Sequence, residues 1–562
     1  MTVPDAGPER PATALRDSAL RWIADDPSAS DRLELQKVLA GAMAGSAADL
    51  AELTERMKTP LAFGTAGLRG QLRAGPAGMN LAVIRRAAAG IAAYLRAEEG
   101  AGGTVVVGYD ARHRSAEFAG DAARVLAAAG FRVMLADAAL PTPITAYAVR
   151  RLDAIAGLQV TASHNPPQDN GLKVYLRGGT QLVGPADTAV EAAIARVPPA
   201  VSIDTSGVPE PWPHDLIDSY TSRAAGLATG VARDLRVAAT PLHGVGGETL
   251  VKALHLAGFT DVHVVRSQAA PDPDFPTVSF PNPEEPGACD QLLDLANEVD
   301  ADLAIANDPD ADRCSIGIRK PDGSRRMLSG DELGVLLGER LLARLDRQAH
   351  PDPLVATTIV SSQLLGRIAA AHGVRYDETL TGFKWIVRAG DGNGTGLIYG
   401  YEEALGLAVD PDAVRDKDGI SAAVLACDLA SSLKAQGRTI QDALDDLARA
   451  HGLHSTGALS LRVQDVSQIT RWMTDLRVNF PASLLGRPVG GTDLLPRTDA
   501  VRLATDQARV VVRPSGTEPK LKCYLELVTP VPTTATDLAA VRLRAEADLT
   551  RLRSEIQALF PA

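Results

Sequence analysis

Short apolar runs that end in polar loops alternate with helical patterns along most of the chain. Apolar runs bounded by turn residues are typical of buried strands, and helices between such strands indicate an α/β fold. The strand-like runs lie at residues 104–110, 155–159, 235–239, 302–306 and 397–399. We therefore predict three similar α/β domains with mixed sheets.

Residues 1–58 precede this alternation and show helical spacing. Ala19 and Ile23 lie four positions apart on a first predicted helix, and Ser30 is the predicted cap of a second helix that carries Leu33 and Leu35. No residue pattern here indicates chemistry, so we expect these helices to serve packing.

The chain from Thr456 onward has a different pattern, which predicts the order strand, helix, strand, strand, helix. We expect a smaller α+β domain there. A segment rich in Pro, Ser and Asp after Val197 marks another boundary. The predicted domains are residues 1–222 (with the N-terminal helices), 223–327, 328–455 and 456–562.

Composition narrows the class of protein. At about 150 residues per domain, 562 residues suggest roughly four domains. The net charge of −12 gives no electrostatic reason to expect a nucleic-acid partner. The four cysteines are scattered, no apolar run reaches membrane-spanning length, and the amino terminus lacks a signal-peptide pattern. These features predict a cytoplasmic protein that does not bind membranes.

A loop with the sequence TASHNPP follows the run at residues 155–159 and contains Ser163. In open α/β sheets, ligands are handled at the carboxyl ends of strands, where this loop lies. Serine and asparagine also close ordinary turns through hydrogen bonds to the backbone, so this loop alone does not distinguish a reactive serine from a structural one.

A second polar loop, DPDADR, follows the run at residues 302–306. If the loop is extended, residues at a spacing of two point to the same side, so Asp308, Asp310 and Asp312 converge. Oxygen ligands in small number suit Mg²⁺. A calcium loop of the EF-hand type is excluded, because its sixth position is Arg313 and its twelfth is Arg319.

Two further loops concentrate groups that bind anions. Glycines surround Arg69 in FGTAGLRG, and RPSGTEPKLK contains Arg513 and Ser515, with Gly516 and Thr517 in the same turn. Backbone N–H groups, hydroxyls and a guanidinium in one turn suit a phosphate. An ordinary turn and a basic hairpin tip are the structural alternatives for these two loops.

Together the loops indicate phosphoryl transfer, because a serine, a carboxylate metal site and a phosphate-binding turn are present in one chain. A metal at the aspartates would neutralise a phosphoserine, and Arg69 and Arg313 would share its charge. His164 or Lys173 would take or give the hydroxyl proton.

The motifs TASHNPPQDNGLK, DPDADR, GYEEALG and RPSGTEPKLK resemble, in the same order, the four signature loops of the α-D-phosphohexomutase superfamily. FGTAGLRG and TLTGFKWI are most similar to the branch that contains phosphopentomutase-like phosphoglucomutases. The resemblance implies four domains around a central cleft, a monomer or homodimer, and a sugar phosphate substrate.

The resemblance also implies roles for individual residues. Ser163 would be the phosphoserine and a Mg²⁺ ligand together with the three aspartates, and Lys173 is the first choice for proton transfer. Sugar 1,6-bisphosphate would be the intermediate and activator. The positions implied for substrate binding are Thr381, Gly382, Glu402 and Lys417 for the sugar, and Arg513, Ser515, Gly516 and Thr517 for its second phosphate.

One departure from the family pattern concerns the sugar. Many members have serine where this chain has Ala404, and Phe383 replaces polar or bulkier residues of some branches. The leading hypothesis is a mutase that interconverts hexose 1-phosphate and hexose 6-phosphate, with glucose or mannose as the sugar. The alternatives are a phosphopentomutase, a glucose 1,6-bisphosphate synthase, a serine phosphatase and a non-catalytic sugar-phosphate binding or regulatory protein.

Overall fold

The computed structural model describes residues 11–64, 67–515, 519–532 and 538–561. The chain forms two compact units. The first unit comprises Met1–Leu227, Val237–Cys314 and Asp412–Val424. The second comprises Ala228–Arg236, Ser315–Pro411 and Leu425–Ala562.

Helices and strands alternate along most of the described chain. The helices are α1 (Thr13–Asp25), α2 (Ala29–Met43), α3 (Ala47–Arg56), α4 (Leu81–Glu99), α5 (Ser115–Ala128), α6 (Thr142–Arg151), α7 (Ala186–Ile194), α8 (Leu216–Ala225), α9 (Gly246–Leu256), α10 (Asp290–Glu298), α11 (Gly330–Leu342), α12 (Leu364–Ala371), α13 (Phe383–Ile386), α14 (Gly419–Lys434), α15 (Ile440–His451), α16 (Val466–Val478) and α17 (Ala539–Ala558).

The strands are short, as buried strands of α/β domains usually are. They are β1 (Leu68–Gln71), β2 (Thr104–Tyr109), β3 (Arg132–Leu135), β4 (Ala156–Val160), β5 (Asp169–Leu176), β6 (Thr180–Gln181), β7 (Glu210–Pro211), β8 (Arg236–Thr240), β9 (Asp261–Val264), β10 (Leu303–Asn307), β11 (Cys314–Arg319), β12 (Arg325–Met327), β13 (Leu354–Thr358), β14 (Arg375–Thr379), β15 (Leu397–Glu402), β16 (Gly406–Ala408), β17 (Leu453–Arg462), β18 (Ser483–Leu484), β19 (Arg487–Pro488), β20 (Gly490–Asp493), β21 (Val501–Ala504), β22 (Ala508–Pro514) and β23 (Lys520–Thr529).

The first unit contains a mixed sheet in the order β1-β5-β4-β2-β3-β7. β2 runs parallel to β3 and β4, whereas β5 runs antiparallel to β4 and β1. Val105, Val107, Leu158 and Val160 are buried in its core, where α4 and α5 also contribute apolar residues. The run of three valines in β2 follows from this cover, because a parallel strand buried on both faces needs no polar alternation.

A second parallel pair, β8 and β10, also belongs to the first unit, and Leu303 of β10 lies opposite Val237 of β8. All five residues of β10 are buried. The strand ends at Asn307, directly before the three aspartates. β4 likewise ends directly before the serine loop. The sheet geometry therefore places both chemical motifs at the carboxyl ends of buried strands.

The N-terminal helices pack against each other through Ala19, Ile23, Leu35 and Leu53. This arrangement confirms the predicted first helix and its packing role. The predicted cap of the second helix was wrong. Ser28, not Ser30, accepts the hydrogen bond from the Asp31 N–H, and the helix begins at Ala29.

The second unit contains two larger sheets, with the orders β14-β13-β15-β16 and β17-β23-β22-β21-β20. The pattern from Thr456 predicted two strands between the last two helices. Six strands occur there in the part of the chain that the structure describes. β18 and β19 have two residues each and β20 is glycine-rich, so none of them has a recognisable apolar pattern.

Among the described helices, none combines the length and the apolar character that crossing a bilayer requires.

Candidate active site

The serine loop leaves β4 and holds Ser163 in a left-handed backbone conformation, with φ of 53°. Such a conformation is uncommon for a residue other than glycine and costs roughly 1–2 kcal/mol. The N–H of Ser163 donates to Oγ1 of Thr161 at 2.8 Å. The backbone of Ser163 is thus held in a conformation that it would not adopt by itself.

Arg112 lies beneath this loop and donates to its carbonyl oxygens. Its guanidinium contacts the carbonyl oxygen of Ser163 at 2.7 Å, that of Pro166 at 2.7 Å and that of Asp169 at 3.1 Å, and it also donates to the carbonyl of Asn165. The sequence analysis did not assign this residue a role. No local sequence signal predicts four carbonyl acceptors from one loop.

The aspartate loop is a turn and not an extended segment, so the geometry behind the prediction was wrong. The N–H of Ala311 donates to the carbonyl of Asp308 at 2.8 Å, and Ala311 has φ of 56°. The convergence itself is confirmed, because oxygens of Asp308, Asp310 and Asp312 all lie within 4.8 Å of one another. The turn, and not the alternation of side chains along a strand, brings the three carboxylates together.

The structure brings the two loops together. Oγ of Ser163 donates to Oδ2 of Asp308 at 2.7 Å, and both side chains are buried. On the neighbouring aspartate, Oγ1 of Thr142 donates to Oδ2 of Asp310 at 2.5 Å. Thr142 is a second contact that the sequence analysis missed, because its helix, α6, carries no motif.

Two lysines lie against the aspartates. Nζ of Lys173 lies 2.7 Å from Oδ2 of Asp310 and 2.6 Å from Oδ2 of Asp312. Nζ of Lys417, which was predicted to contact the sugar, lies 3.2 Å from the same oxygen of Asp312. The two ammonium groups thus offset much of the negative charge of these buried carboxylates.

The oxygens that remain fit a divalent cation. Oδ1 of Asp310 and Oδ1 of Asp312 are buried and have no hydrogen-bond partner among the described residues. Buried polar atoms without a partner are costly and rare in folded proteins. Together with Asp308, they offer Mg²⁺ a small set of oxygen ligands and leave coordination positions for a phosphate or water.

The pKa values in this cluster follow burial and charge. Burial raises the pKa of Asp308 well above its ordinary value, and the adjacent carboxylates of Asp310 and Asp312 add to this rise. Burial also acts to raise the pKa of Asp310, but the ammonium of Lys173 and the hydrogen bonds with Asp308, Lys173 and Thr142 together hold that pKa below the ordinary value. Burial lowers the pKa of Lys173, whereas its two carboxylate partners raise it, and the net direction is upward.

His164 contacts the serine directly, since its Nδ1 lies 3.1 Å from Oγ of Ser163. Burial, followed by the cations Arg313 and Arg69, lowers the pKa of His164 well below its ordinary value. A neutral imidazole next to a hydroxyl can accept its proton.

The two predicted arginines lie around the same loops. Nη1 of Arg69 donates to Oδ1 of Asn165 at 3.1 Å. The N–H of Arg313 donates to Oδ1 of Asp308 at 3.0 Å, and its guanidinium lies 3.2 Å from Glu284. The first unit therefore brings the predicted catalytic residues together with the three aspartates.

The segment that carries Lys417 is held by a buried neighbour that the sequence analysis did not single out. Asp416 accepts hydrogen bonds from the hydroxyl of Tyr175 at 2.8 Å and from Gln181 at 2.6 Å. Its other oxygen accepts the N–H of Lys417 at 2.9 Å. Gly419 packs so closely that a Cβ there would lie 2.2 Å from the carbonyl of Arg313, so this position requires glycine.

The second unit carries most of the residues predicted to bind the substrate. Thr381 and Gly382 directly precede α13, and Glu402 ends β15. The adjacent Glu403 accepts hydrogen bonds from Ser361 at 2.9 Å and from Thr358 at 3.1 Å, which fixes the loop after Glu402. Phe383 does not face a polar site, because it packs in an apolar core cluster of this unit.

The predicted phosphate-binding turn connects β22 and β23. Arg513 lies opposite Lys522, and the N–H of Ser515 donates to the carbonyl of Lys520 at 2.9 Å. Gly516 and Thr517 lie outside the described residues. The register therefore places two basic residues side by side at the base of this turn.

A cavity of about 920 Å³ also lies in the first unit, lined mainly by apolar residues of α1, α4 and the segment from Thr59 to Phe63. None of the residues predicted for phosphoryl transfer lines it. This cavity is therefore not part of the candidate active site.

Comparison with known families gives four consecutive matches, all described as phosphoglucomutase/phosphomannomutase. The alpha/beta/alpha domains I, II and III match residues 60–199, 217–322 and 329–451, and the C-terminal domain matches residues 462–535. The matches cover more than half of the chain and confirm the predicted fold class of three α/β domains and a smaller final domain.

Individual proteins agree with this result. The chain is 42% identical over 462 residues to a Haemophilus influenzae protein named "Probable phosphomannomutase", covering 80% of this chain and 93% of that protein. It is 35% identical over 511 residues to the phosphoglucomutase of Staphylococcus aureus strain MRSA252, covering 85% and 92%.

Solved structures share the fold. A phosphoglucomutase/phosphomannomutase family protein from Burkholderia thailandensis has a TM-score of 0.67 at 21% identity and covers 89% of this chain and 97% of its own. The open form of parafusin from Paramecium has a TM-score of 0.68 at 19% identity and covers 90% and 97%. With the four family matches and the close relatives, the chain belongs to the phosphoglucomutase/phosphomannomutase family of phosphotransferase isomerases.

Proposed function

We propose that this protein interconverts hexose 1-phosphate and hexose 6-phosphate, with Ser163 as the carrier of the phosphoryl group. One observation carries the proposal. Oγ of Ser163 lies 2.7 Å from Asp308, beside two buried carboxylate oxygens that have no hydrogen-bond partner among the described residues. The names of the relatives, phosphomannomutase and phosphoglucomutase, support the substrate class.

Asp308, Asp310 and Asp312, with the phosphorylated side chain of Ser163, would hold Mg²⁺. When bound there, the cation supplies positive charge that neutralises the oxygens of the phosphoryl group. Arg69 supplies further charge from the protein itself, since a guanidinium matches phosphate geometry.

Loading of the serine forms a bond between Oγ and phosphorus and breaks the bond between phosphorus and the sugar oxygen. Oγ donates to Asp308 in this structure, but Asp308 would be bound to the cation, so we assign His164, whose Nδ1 lies 3.1 Å from Oγ, as the acceptor of the Oγ proton. We assign Lys173 as the donor of a proton to the departing sugar oxygen, since its ammonium is held by Asp310 and Asp312. Unloading is the reverse reaction. The bond between Oγ and phosphorus breaks, a bond between phosphorus and a sugar oxygen forms, and each proton returns to the group that released it.

The substrate's remaining groups would be recognised by residues away from the serine. Thr381, Gly382, Glu402 and Lys417 would bind the sugar hydroxyls. Arg513, with Ser515, Gly516 and Thr517, would bind the phosphate that is not being transferred. A sugar 1,6-bisphosphate would form as the intermediate, and added bisphosphate would act as the activator because it loads Ser163.

The Ser163→Ala variant tests the proposal in an isomerase assay with Mg²⁺ and glucose 1,6-bisphosphate. We expect nearly complete loss of activity, because the carrier oxygen is absent. Ser206→Ala is the matched control, since Ser206 is an exposed serine of the same unit. Phosphopeptide mass spectrometry should find phosphate on Ser163 of the wild type. An active Ser163→Ala variant would refute the mechanism.

The sugar is tested separately by steady-state rates on glucose, mannose and ribose 1-phosphates. We expect kcat/KM to favour a hexose. A wide preference for ribose would replace the hexose assignment with a pentose one, and release of free phosphate without isomer formation would indicate a phosphatase.

A further inference from the structure

Arg112 donates hydrogen bonds to four carbonyl oxygens of the serine loop and the strand that follows it. Its Nη2 donates to the carbonyl of Ser163 at 2.7 Å and also to that of Asn165. Its Nη1 donates to the carbonyls of Pro166 at 2.7 Å and Asp169 at 3.1 Å. One buried guanidinium thereby connects four positions of a seven-residue stretch.

The guanidinium is itself fixed from two other sides. Its Nε lies 3.5 Å from Oδ2 of Asp110, and both side chains are 1% exposed. Asp110 is held in turn by the hydroxyl of Ser115 at 2.6 Å. The ring of Phe275 covers the guanidinium, with 4.9 Å between the ring centroid and Cζ of Arg112. Arg112 therefore has little freedom to move.

The loop needs such support because Ser163 is in the left-handed region, with φ of 53°. Relaxation to an ordinary backbone conformation would swing the side chain away from its present direction. Oγ would then leave Asp308, which it contacts at 2.7 Å. The hydrogen bonds from Arg112 to the carbonyl of this strained residue and to the carbonyls of Asn165, Pro166 and Asp169 after it oppose that relaxation.

We propose that Arg112 is a positioning residue for phosphoryl transfer, which fixes the backbone of Ser163 so that Oγ stays against Asp308. This inference rests on the proposed function of Ser163 as the phosphoryl carrier. Arg112 acts through the serine loop and has no assigned contact with the substrate. Its loss should lower kcat and leave KM nearly unchanged.

The chain offers a matched control two residues away. Arg114 also pairs with buried Asp31, at 2.8 Å, and also lies over a phenylalanine ring, with 4.8 Å from Cζ to the centroid of Phe118. Its polar partners among the described residues are Asp31 and Glu117, and neither belongs to the serine loop. Arg112→Lys and Arg112→Met are therefore compared with Arg114→Lys and Arg114→Met.

Lysine retains a positive charge for Asp110 but presents one ammonium in place of a fork, so it cannot reach four carbonyl oxygens. We expect both Arg112 variants to lose about 100-fold in kcat, the size of effect that a displacement of 1 Å can produce. KM should change by less than about threefold, since ground-state binding is untouched. The Arg114 variants should keep the wild-type kcat.

A second readout isolates the serine. Wild type and variants are mixed with glucose 1,6-bisphosphate and quenched at intervals, and phosphate on Ser163 is measured by phosphopeptide mass spectrometry. We expect slower loading in the Arg112 variants to match their loss in kcat. Phe275→Leu keeps every hydrogen bond of Arg112 but removes the ring over its guanidinium. We expect this variant to show a smaller loss in kcat and in the rate of loading. It supplies the test if Arg112→Met does not fold.

The outcomes separate the two proposals. An inactive Ser163→Ala with a fully active, folded Arg112→Lys would refute the positioning role alone. A raised KM with unchanged kcat in Arg112→Lys would also refute it. An active Ser163→Ala would refute the proposed function and the positioning role together.

Discussion

The ammonium of Lys173 lies 2.6 Å from Oδ2 of Asp312, and both side chains are 1% exposed. The same amine contacts Asp310 at 2.7 Å. The positive charge of Lys173 thus offsets the repulsion between two buried carboxylates. This structural role is separate from the proposed role of Lys173 in proton transfer.

Replacing Lys173 by methionine should destabilise the metal-free protein strongly. Removal of one partner of a buried ion pair costs roughly 3–5 kcal/mol, because the other charge is left buried without compensation. Added Mg²⁺ should recover part of this loss, because it restores positive charge to the same carboxylates. Thermal unfolding in EDTA and in Mg²⁺ measures both effects. Lys252→Met, which removes an exposed pair with Asp218, is the control. An unchanged Tm in EDTA would contradict the prediction.

Replacing Asp310 by asparagine should weaken Mg²⁺ binding by more than about tenfold, the loss that even an outer partner of a metal site causes. Titration calorimetry measures the affinity, and the Mg²⁺ concentration for half-maximal activity gives an independent value. Asp322→Asn is the control, because Asp322 lies in an exposed turn. Equal affinities of Asp310→Asn and wild type would place the metal elsewhere.

Replacing Arg513 by alanine should raise KM for the sugar phosphate and affect kcat less. A hydrogen bond to a charged group contributes roughly 1.5–3 kcal/mol, which corresponds to roughly a 10- to 150-fold change in binding. Steady-state kinetics measures KM and kcat separately. Arg487→Ala removes an exposed arginine that pairs with Asp506 and should leave both unchanged. A wild-type KM in Arg513→Ala would remove this residue from the phosphate site.

Replacing Ala404 by serine should lower KM for the preferred hexose phosphate. Ala404 is half-buried in the loop after Glu402, and a hydroxyl there adds a donor worth about 1 kcal/mol, or roughly fivefold. Ala349→Ser, at an exposed turn of the same unit, is the comparison. If KM for every sugar phosphate stays constant, Ala404 does not face the sugar.

Asp331 should make the protein less stable as pH rises towards neutrality. Burial, together with nearby Glu403 and Glu526, raises its pKa to about 7, although the N–H of Ser362 donates to it at 2.7 Å and opposes that rise. Between about pH 4 and pH 7 the folded protein binds more protons at this residue than the unfolded chain does. Stability therefore falls with rising pH, by up to roughly 1.4 kcal/mol per pH unit.

Urea unfolding at several pH values tests this slope. Asp331→Asn retains an oxygen for the N–H of Ser362 but cannot ionise, so its stability should fall less between pH 5 and pH 7 than that of the wild type. Asp322→Asn again serves as the exposed control. Parallel slopes for Asp331→Asn and wild type would contradict the prediction.

Much of the fold followed from local sequence signals. Asn80, a residue type that is favoured at helix N-caps, caps α4 by accepting the N–H of Val83. Apolar runs located β2, β4 and β10 within a residue or two. Because ligands of open α/β sheets bind at the carboxyl ends of strands, the loops after β4 and β10 could also be predicted to carry chemistry.

Other features depend on contacts between segments far apart in the chain. Arg112 and Thr142 reach the active-site loops from elements that carry no motif of their own. The contact of His164 with Oγ of Ser163, and the turn at Ala311, depend on backbone angles in the left-handed region that residue type does not specify. The short strands β18 to β20 have too few apolar residues to give a pattern.

The left-handed backbone at Ser163 also restricts which amino acid can occupy the position. Threonine carries the same nucleophilic oxygen, but its second substituent on Cβ crowds the backbone at φ of 53°, where β-branched residues are outliers. The Ser163→Thr substitution would therefore keep the nucleophilic oxygen but strain the backbone. An enzyme with this loop conformation requires a primary alcohol, the serine side chain, at this position.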